Sequence, residues 1–326
     1  MFSANTHFFA CIAHAARLVS CAVILLCAPA RAEDGPAFRG RQGGKSEAWS
    51  LFARLPSSRD TSYLAATFAL GKRMMVSGSV VRCLLWSSTT RTMQFQQKVF
   101  VAGMGAVEHQ VDRLAERYGD NHLTGTKGGR EAVMTIGLDG LETSITMIPK
   151  AATVPLRDVF AGDWDNRRFN WSLIPQVRLT HGPTLSGNGH FQHWWGDEAQ
   201  RYGDWIVVHT DNGTSLFVSW FPPENRNKDW LSGSFLLVVS PDGSRQLTRS
   251  FSYTVERHWQ HNPVAMRIRA EQPQLDIRVN AFEDNQLVKT HGKMQWSGFG
   301  SSSGTVGDQP ARGWAFMAPM EREPNR

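Results

Sequence analysis

The segment Gly187-Asn188-Gly189-His190-Phe191-Gln192-His193-Trp194-Trp195-Gly196 brings imidazole, amide and indole groups together in one short stretch. Side chains alternate along a strand, so His190, Gln192 and Trp194 share one face, and Phe191, His193 and Trp195 share the other. An imidazole beside a carboxamide pairs a group that titrates near neutral pH with a neutral hydrogen-bond clamp, which suits polarising a carbonyl better than protonating an alkene. The plain alternative is that His190 and His193 are satisfied polar residues of an aromatic strand. His190-x-x-His193 and His258-x-x-His261 do not form chelating pairs, because residues three apart on a strand point to opposite sides. No metal is expected.

Other reactive types read as structural. Cys83 lies in the apolar run Val80–Trp86 and is expected to be a packed thiol. Asp197-Glu198 follow the histidine strand as a solvated loop pair. Gly298–Gly307 lacks phosphate-loop spacing, and Ser301-Ser302-Ser303 lacks the strand-turn-helix setting of a nucleophile elbow. The competing classes are therefore a non-hydrolytic enzyme and a binding protein. The chain has twelve tryptophans against four tyrosines, and such large rigid walls favour an aromatic pocket. Trp86, Trp220 and Trp230 read as ordinary core.

The elements that must position these groups are strands. Trp205–His209, Asp211-Asn212-Gly213 and Ser215–Phe221 read as strand, tight turn and returning strand; so do Ser234–Val239, Pro241-Asp242-Gly243 and Arg245–Val255. Val133–Leu138, Asp139-Gly140 and Glu142–Ile148 repeat the pattern. Only Val107–Tyr118 has helix-like spacing. The class expected is all-β, as two antiparallel barrels or curved sandwiches packed together: residues 33–185 and 186–319, followed by a mobile tail at 320–326.

Residues 1–32 read as an export signal. Arg17 precedes the apolar run Leu18–Pro29, which closes on Ala30-Arg31-Ala32, so the mature chain would begin at Glu33 in the periplasm or outside the cell. A retained anchor and a lipidated Cys21 are the alternatives. Losing Arg17 and Arg31 with the leader takes the net charge from +6 to +4. That charge is scattered, Arg167-Arg168 being its densest pair, which argues against nucleic acid as a partner. The expected partner is a hydrophobic small molecule, with peripheral membrane contact also allowed; nothing in the sequence sets an oligomeric state.

Trp171–Gln176 followed by Gly187–Gly196 resembles the paired segments of the lipocalin-like carotenoid 1,2-hydratase (hydroxyneurosporene synthase) family. Trp205–Phe221, Gln295-Trp296-Ser297-Gly298, Gly313-Trp314-Ala315-Phe316 and, more faintly, Glu47-Ala48-Trp49-Ser50-Leu51-Phe52 extend the likeness. It implies two lipocalin-like β-barrels with an elongated apolar ligand at or near their interface, and no metal or organic cofactor. The family's acid falls at Gln192, its tyrosine at His190 and a glutamate at Ser297. Glutamine cannot protonate carbon. The resemblance therefore implies that a polyene, terpenoid or polyketide is bound and cyclised, isomerised or hydrated with His190 and Gln192 as catalytic groups. Trp171, His193, Trp194, Trp205 and Trp296 would line the ligand. The alternative is a non-catalytic lipophile carrier of the cell envelope.

Overall fold

The computed structural model describes residues 38–39, 42, 46–73, 76–101, 107–109, 113–126, 128–155, 170–181, 185–196, 204–220, 234–290 and 293–319. The leader, Arg167-Arg168, Asp197-Glu198, Trp230 and the 320–326 tail lie outside them. Residues 32–326 form one unit, and within it every described element is a strand.

Twelve strands make the first sheet: β1 (Ser46–Pro56), β2 (Thr61–Arg73), β3 (Val76–Ser87), β4 (Thr92–Val101), β5 (Val107–His109), β6 (Ala115–Tyr118), β7 (Asn121–Gly125), β8 (Ala132–Leu138), β9 (Leu141–Pro149), β10 (Val154–Pro155), β11 (Asn170–His181) and β12 (Leu185–Gly196). They run in the order β4-β3-β2-β1-β12-β11-β9-β8-β7-β6-β5, with β10 paired to β11. The sheet curls into a nearly closed barrel, bringing β4 against β8 and β3 against β6.

Nine strands form the second sheet, a half-barrel: β13 (Asp204–Thr210), β14 (Ser215–Trp220), β15 (Phe235–Val239), β16 (Arg245–Thr248), β17 (Ser252–Trp259), β18 (Asn262–Glu271), β19 (Gln274–Ala281), β22 (Gly298–Val306) and β23 (Gln309–Ala318). Between β19 and β22, β20 (Leu287–Thr290) and β21 (Lys293–Trp296) form a separate ribbon. All pairings are antiparallel, as expected from the hairpin turns. Gly140, Gly213 and Gly243 take positive φ at the three predicted tips, a backbone state that costs glycine little.

Two expectations shift. Within Val107–Tyr118, the described residues form β5 and β6, with Val107 opposite Tyr118, and not a helix. Leu114, Glu116 and Tyr118 are the buried positions, a period of two. A carboxylate at one inward position hid that alternation, and Glu116 is accommodated by accepting a hydrogen bond from the Tyr118 hydroxyl at 2.9 Å. The second shift concerns the passage between the sheets. The sequence placed it at 185/186, but β12 pairs with both β1 and β11, so the chain changes sheets between Gly196 and Asp204.

Strands β1, β13, β14 and β15 are buried on both faces, which is the feature that builds the site. Trp49, Leu51, Phe68, Tyr118 and Phe191 fill the first barrel. Ile206, Val208, Leu216, Leu236 and Met317 fill the second. The alternate residues of the same strands turn outward and meet between the sheets. Trp171 and Leu173 pack with Val207, Phe217 and Phe235. Phe52, Tyr63 and Trp86 pack with Phe299, Trp314 and Phe316. Removing such side chains from water contributes roughly 1.5–3 kcal/mol each, so the interlayer is a second core shared by the two sheets.

Candidate functional site

His190 and Gln192 stand on the β12 face that turns toward the second sheet. The β1–β12 register sets Phe52 beside His190 and Ser50 beside Gln192. From the facing sheet, β13 contributes Trp205 and His209, and β14 contributes Ser215 and Phe217. The His190 ring stacks on Phe217 with centroids 5.7 Å apart and lies 6.3 Å from the His209 ring. His209 stacks on Trp314 at 4.7 Å, and its Nδ1 meets the Ser215 hydroxyl at 3.0 Å. Trp171 Nε1 donates to the Gln192 side-chain oxygen at 3.2 Å, which leaves Gln192 the donor side of its amide for a ligand.

Both imidazoles are neutral. Burial pushes His190 well below the ordinary histidine range, with repulsion from His209 adding to it, and burial alone takes His209 to about 3. The Nε2 atoms of both rings are buried without a partner. A buried polar atom left unmatched costs about 1–3 kcal/mol, and two together between aromatic walls form a site that a hydrogen-bonding ligand would complete.

β12 reaches this position through its glycines. A Cβ on Gly189 would lie 2.5 Å from the Phe52 carbonyl oxygen, and one on Gly187 would lie 2.3 Å from that of Arg54. Only the missing side chains let β12 approach β1 so closely beside the site.

The expected site residues separate into three groups. Trp171, His190, Gln192, Trp194 and Trp205 gather at the interlayer; Trp194 and Trp205 are half-buried, and Trp205 packs edge-on against Phe52 at 5.0 Å. His193 faces the other way, into the first barrel. Its Nε2 lies 2.7 Å from Glu47 Oε1, and its ring sits between Trp49 at 4.9 Å and Trp195 at 4.6 Å. Burial lowers the His193 pKa against the opposing pull of the Glu47 carboxylate. Trp296 belongs to the second barrel's core, where its Nε1 donates to the Asp284 carbonyl at 2.7 Å. Neither His193 nor Trp296 shares the layer with His190, because strand parity turns the first away and the β20–β21 ribbon carries the second into the half-barrel interior.

Two solved structures share this architecture. One, from Nitrosomonas europaea and described as AttH, is 16% identical with a TM-score of 0.66, covering 89% of this chain and 99% of that one. The other, kievitone hydratase from Nectria haematococca, is 13% identical with a TM-score of 0.63, covering 89% and 92%. The fold is theirs. The sequence matches no protein-family model and no curated protein.

Within this fold, His209 is the residue that the motif reading passed over. It appeared there only as the end of a hairpin strand. Its signal was parity, since His209 shares a face with Trp205, already a candidate, and that face is the interlayer. His258 and His261 are exposed at the β17–β18 turn. Among the described residues no three His, Cys, Asp or Glu side chains gather as metal ligands. The buried carboxylates Glu47 and Glu116 point into the first barrel, and Asp204 alternates with Ile206 and Val208 on the inner face of the second.

Proposed function

We propose that this protein holds an elongated hydrophobic small molecule between its two sheets and processes it in a hydratase-like reaction, with His190 and His209 moving the proton and Gln192 fixing the polar group of the substrate. The observation that carries this reading is the pair of buried neutral imidazoles, each with an unpartnered Nε2, set in an aromatic layer. The likeness to kievitone hydratase supports the reaction class at the level of fold.

The substrate that fits has a C=C conjugated with a carbonyl. One imidazole takes a proton from water as the oxygen bonds to the β-carbon. The π electrons of the double bond move onto the carbonyl oxygen, where the Gln192 amide donates a hydrogen bond. The imidazolium then returns its proton to the α-carbon, and the net change is addition of one water. An isolated alkene would need a carboxylic acid in the layer, and the buried carboxylates among the described residues face elsewhere. An exported location, through a leader ending at Ala32, belongs to the same proposal.

The test is to incubate purified protein with cell-envelope or culture extracts in ¹⁸O-water and identify the bound molecule by mass spectrometry. A product carrying one ¹⁸O, lost in His190→Ala, His209→Ala and Gln192→Ala, supports the reading. Ligand recovered unchanged and unlabelled would establish a carrier instead.

A further inference from the structure

Where the interlayer meets solvent, one cation has no role in the chemistry above. Arg54 follows Phe52 on the same face of β1 and lies opposite Asn188 on β12. Its side chain is 34% exposed, yet its Nε is buried with no hydrogen-bond partner. NH1 meets Asp211 Oδ1 at 3.5 Å, and Asp211 stands 66% exposed on the β13–β14 turn. Asn188 accepts from Trp314 Nε1 at 3.1 Å through its oxygen, so its NH₂ is the group it can offer outward. Two donors thus lie at the rim: guanidinium and amide. The arrangement is incomplete as it stands, because a planar guanidinium presents a fork of donors that matches a carboxylate and its buried Nε has no partner.

We propose that this rim binds the carboxylate of the hydrophobic substrate, making that substrate an amphiphile with an anionic head. The inference rests on the reading of the interlayer as the ligand site and adds the substrate's head group and its direction. Asn188 and His190 are two residues apart on β12, so their side chains leave the strand about 7 Å from one another. A carboxylate held at Arg54 therefore sets the first few carbons of the chain against His190 and His209, with the apolar tail running on along Phe52, Phe316 and Trp205. The reacting position lies near the head and not in the middle of the chain.

The experiment compares a long-chain fatty acid with the primary alcohol of the same length, each displacing a fluorescent lipophile from the full chain. The native protein should bind the acid at least roughly tenfold more tightly, the order expected of a charge-assisted hydrogen bond. Arg54→Met should bring the acid down to the alcohol. Asp211→Asn, which removes the internal competitor and leaves the guanidinium in place, should raise acid affinity severalfold without changing the alcohol, and it stands as a test even if Arg54→Met does not fold. Equal binding of acid and alcohol by the native protein would overturn the anionic head while leaving the interlayer reading intact. Binding of neither would overturn both.

Discussion

Acidification should unfold this protein through its interlayer histidines before its carboxylates matter. A histidine whose pKa falls on folding binds its proton more weakly in the folded chain than in the unfolded one. Its contribution is therefore level above about pH 6.5 and becomes destabilising as pH drops below that value, until the folded group itself titrates. For His209 the lower limit is about 3, and for His190 it is likewise far below 6.5. Between pH 6.5 and 5 the unfolded state gains about 1.4 kcal/mol per pH unit for a histidine so shifted, hence about 2 kcal/mol for His209, and His190 adds in the same direction. His193 adds less, since Glu47 opposes its shift. Asp60 and Asp276, whose carboxyl pKa values are also lowered on folding, have unfolded values near 4 and contribute almost nothing above pH 5. Urea unfolding at pH 7.5, 6.5, 5.5 and 5.0, for the native chain and for His190→Gln/His209→Gln, measures the effect. The double variant should lose most of the pH dependence across that window. Native stability that is flat from pH 7.5 to 5, or a double variant with the full native slope, would refute the argument that both rings are buried and neutral.

Further outcomes follow from single positions. Gly189→Ala should cost about 1–3 kcal/mol as an overpacking change, because the new methyl group meets the Phe52 carbonyl oxygen; an unchanged urea midpoint would show that β12 can move away from β1 freely. Cys83, buried with its thiol pushed up to about 12, should resist a maleimide in the native state and react once the chain is unfolded, with labelling at equal rates in both states counting against its burial. Gln192→Asp places a carboxyl group where the present side chain is 4% exposed. Desolvation should lift its pKa well above the usual 4, and an NMR titration midpoint near 4 would mean that the position is wet.

The fold was legible because turn chemistry and alternation are local. Asp211-Asn212-Gly213 and Asp139-Gly140 announce their hairpins regardless of what packs on them. The face of β12 that carries His190 was legible too, as parity alone separates it from His193. What the sequence could not supply is which side of a strand is outside. In β15, Phe235, Leu237 and Val239 face one core while Leu236 and Val238 face another, so the segment reads as a uniform apolar run and conceals that it borders two compartments. The partnership of His190 with His209 is likewise invisible, since it joins different sheets through no local pattern. The boundary was misplaced for a related reason: the glycines from Gly182 to Gly189 look like a linker, whereas Gly187 and Gly189 serve close strand approach.

The strand order also dictates when the site can exist during folding. β13 is flanked by β14 and by β23, and β1 by β2 and by β12. Each sheet thus has at its middle a seam between segments roughly a hundred or more residues apart, and contacts of such high sequence separation close late and slowly. Until residue 318 is available, His209 lacks the β23 strand that brings Trp314 and Phe316 into the layer, and the outward aromatics of the finished first barrel stand uncovered. A chain arrested before β23 would present Phe52, Tyr63 and Trp86 to its surroundings as a sticky apolar surface. The interval between completion of the first barrel and arrival of the last strand is therefore the period in which this protein most needs a chaperone.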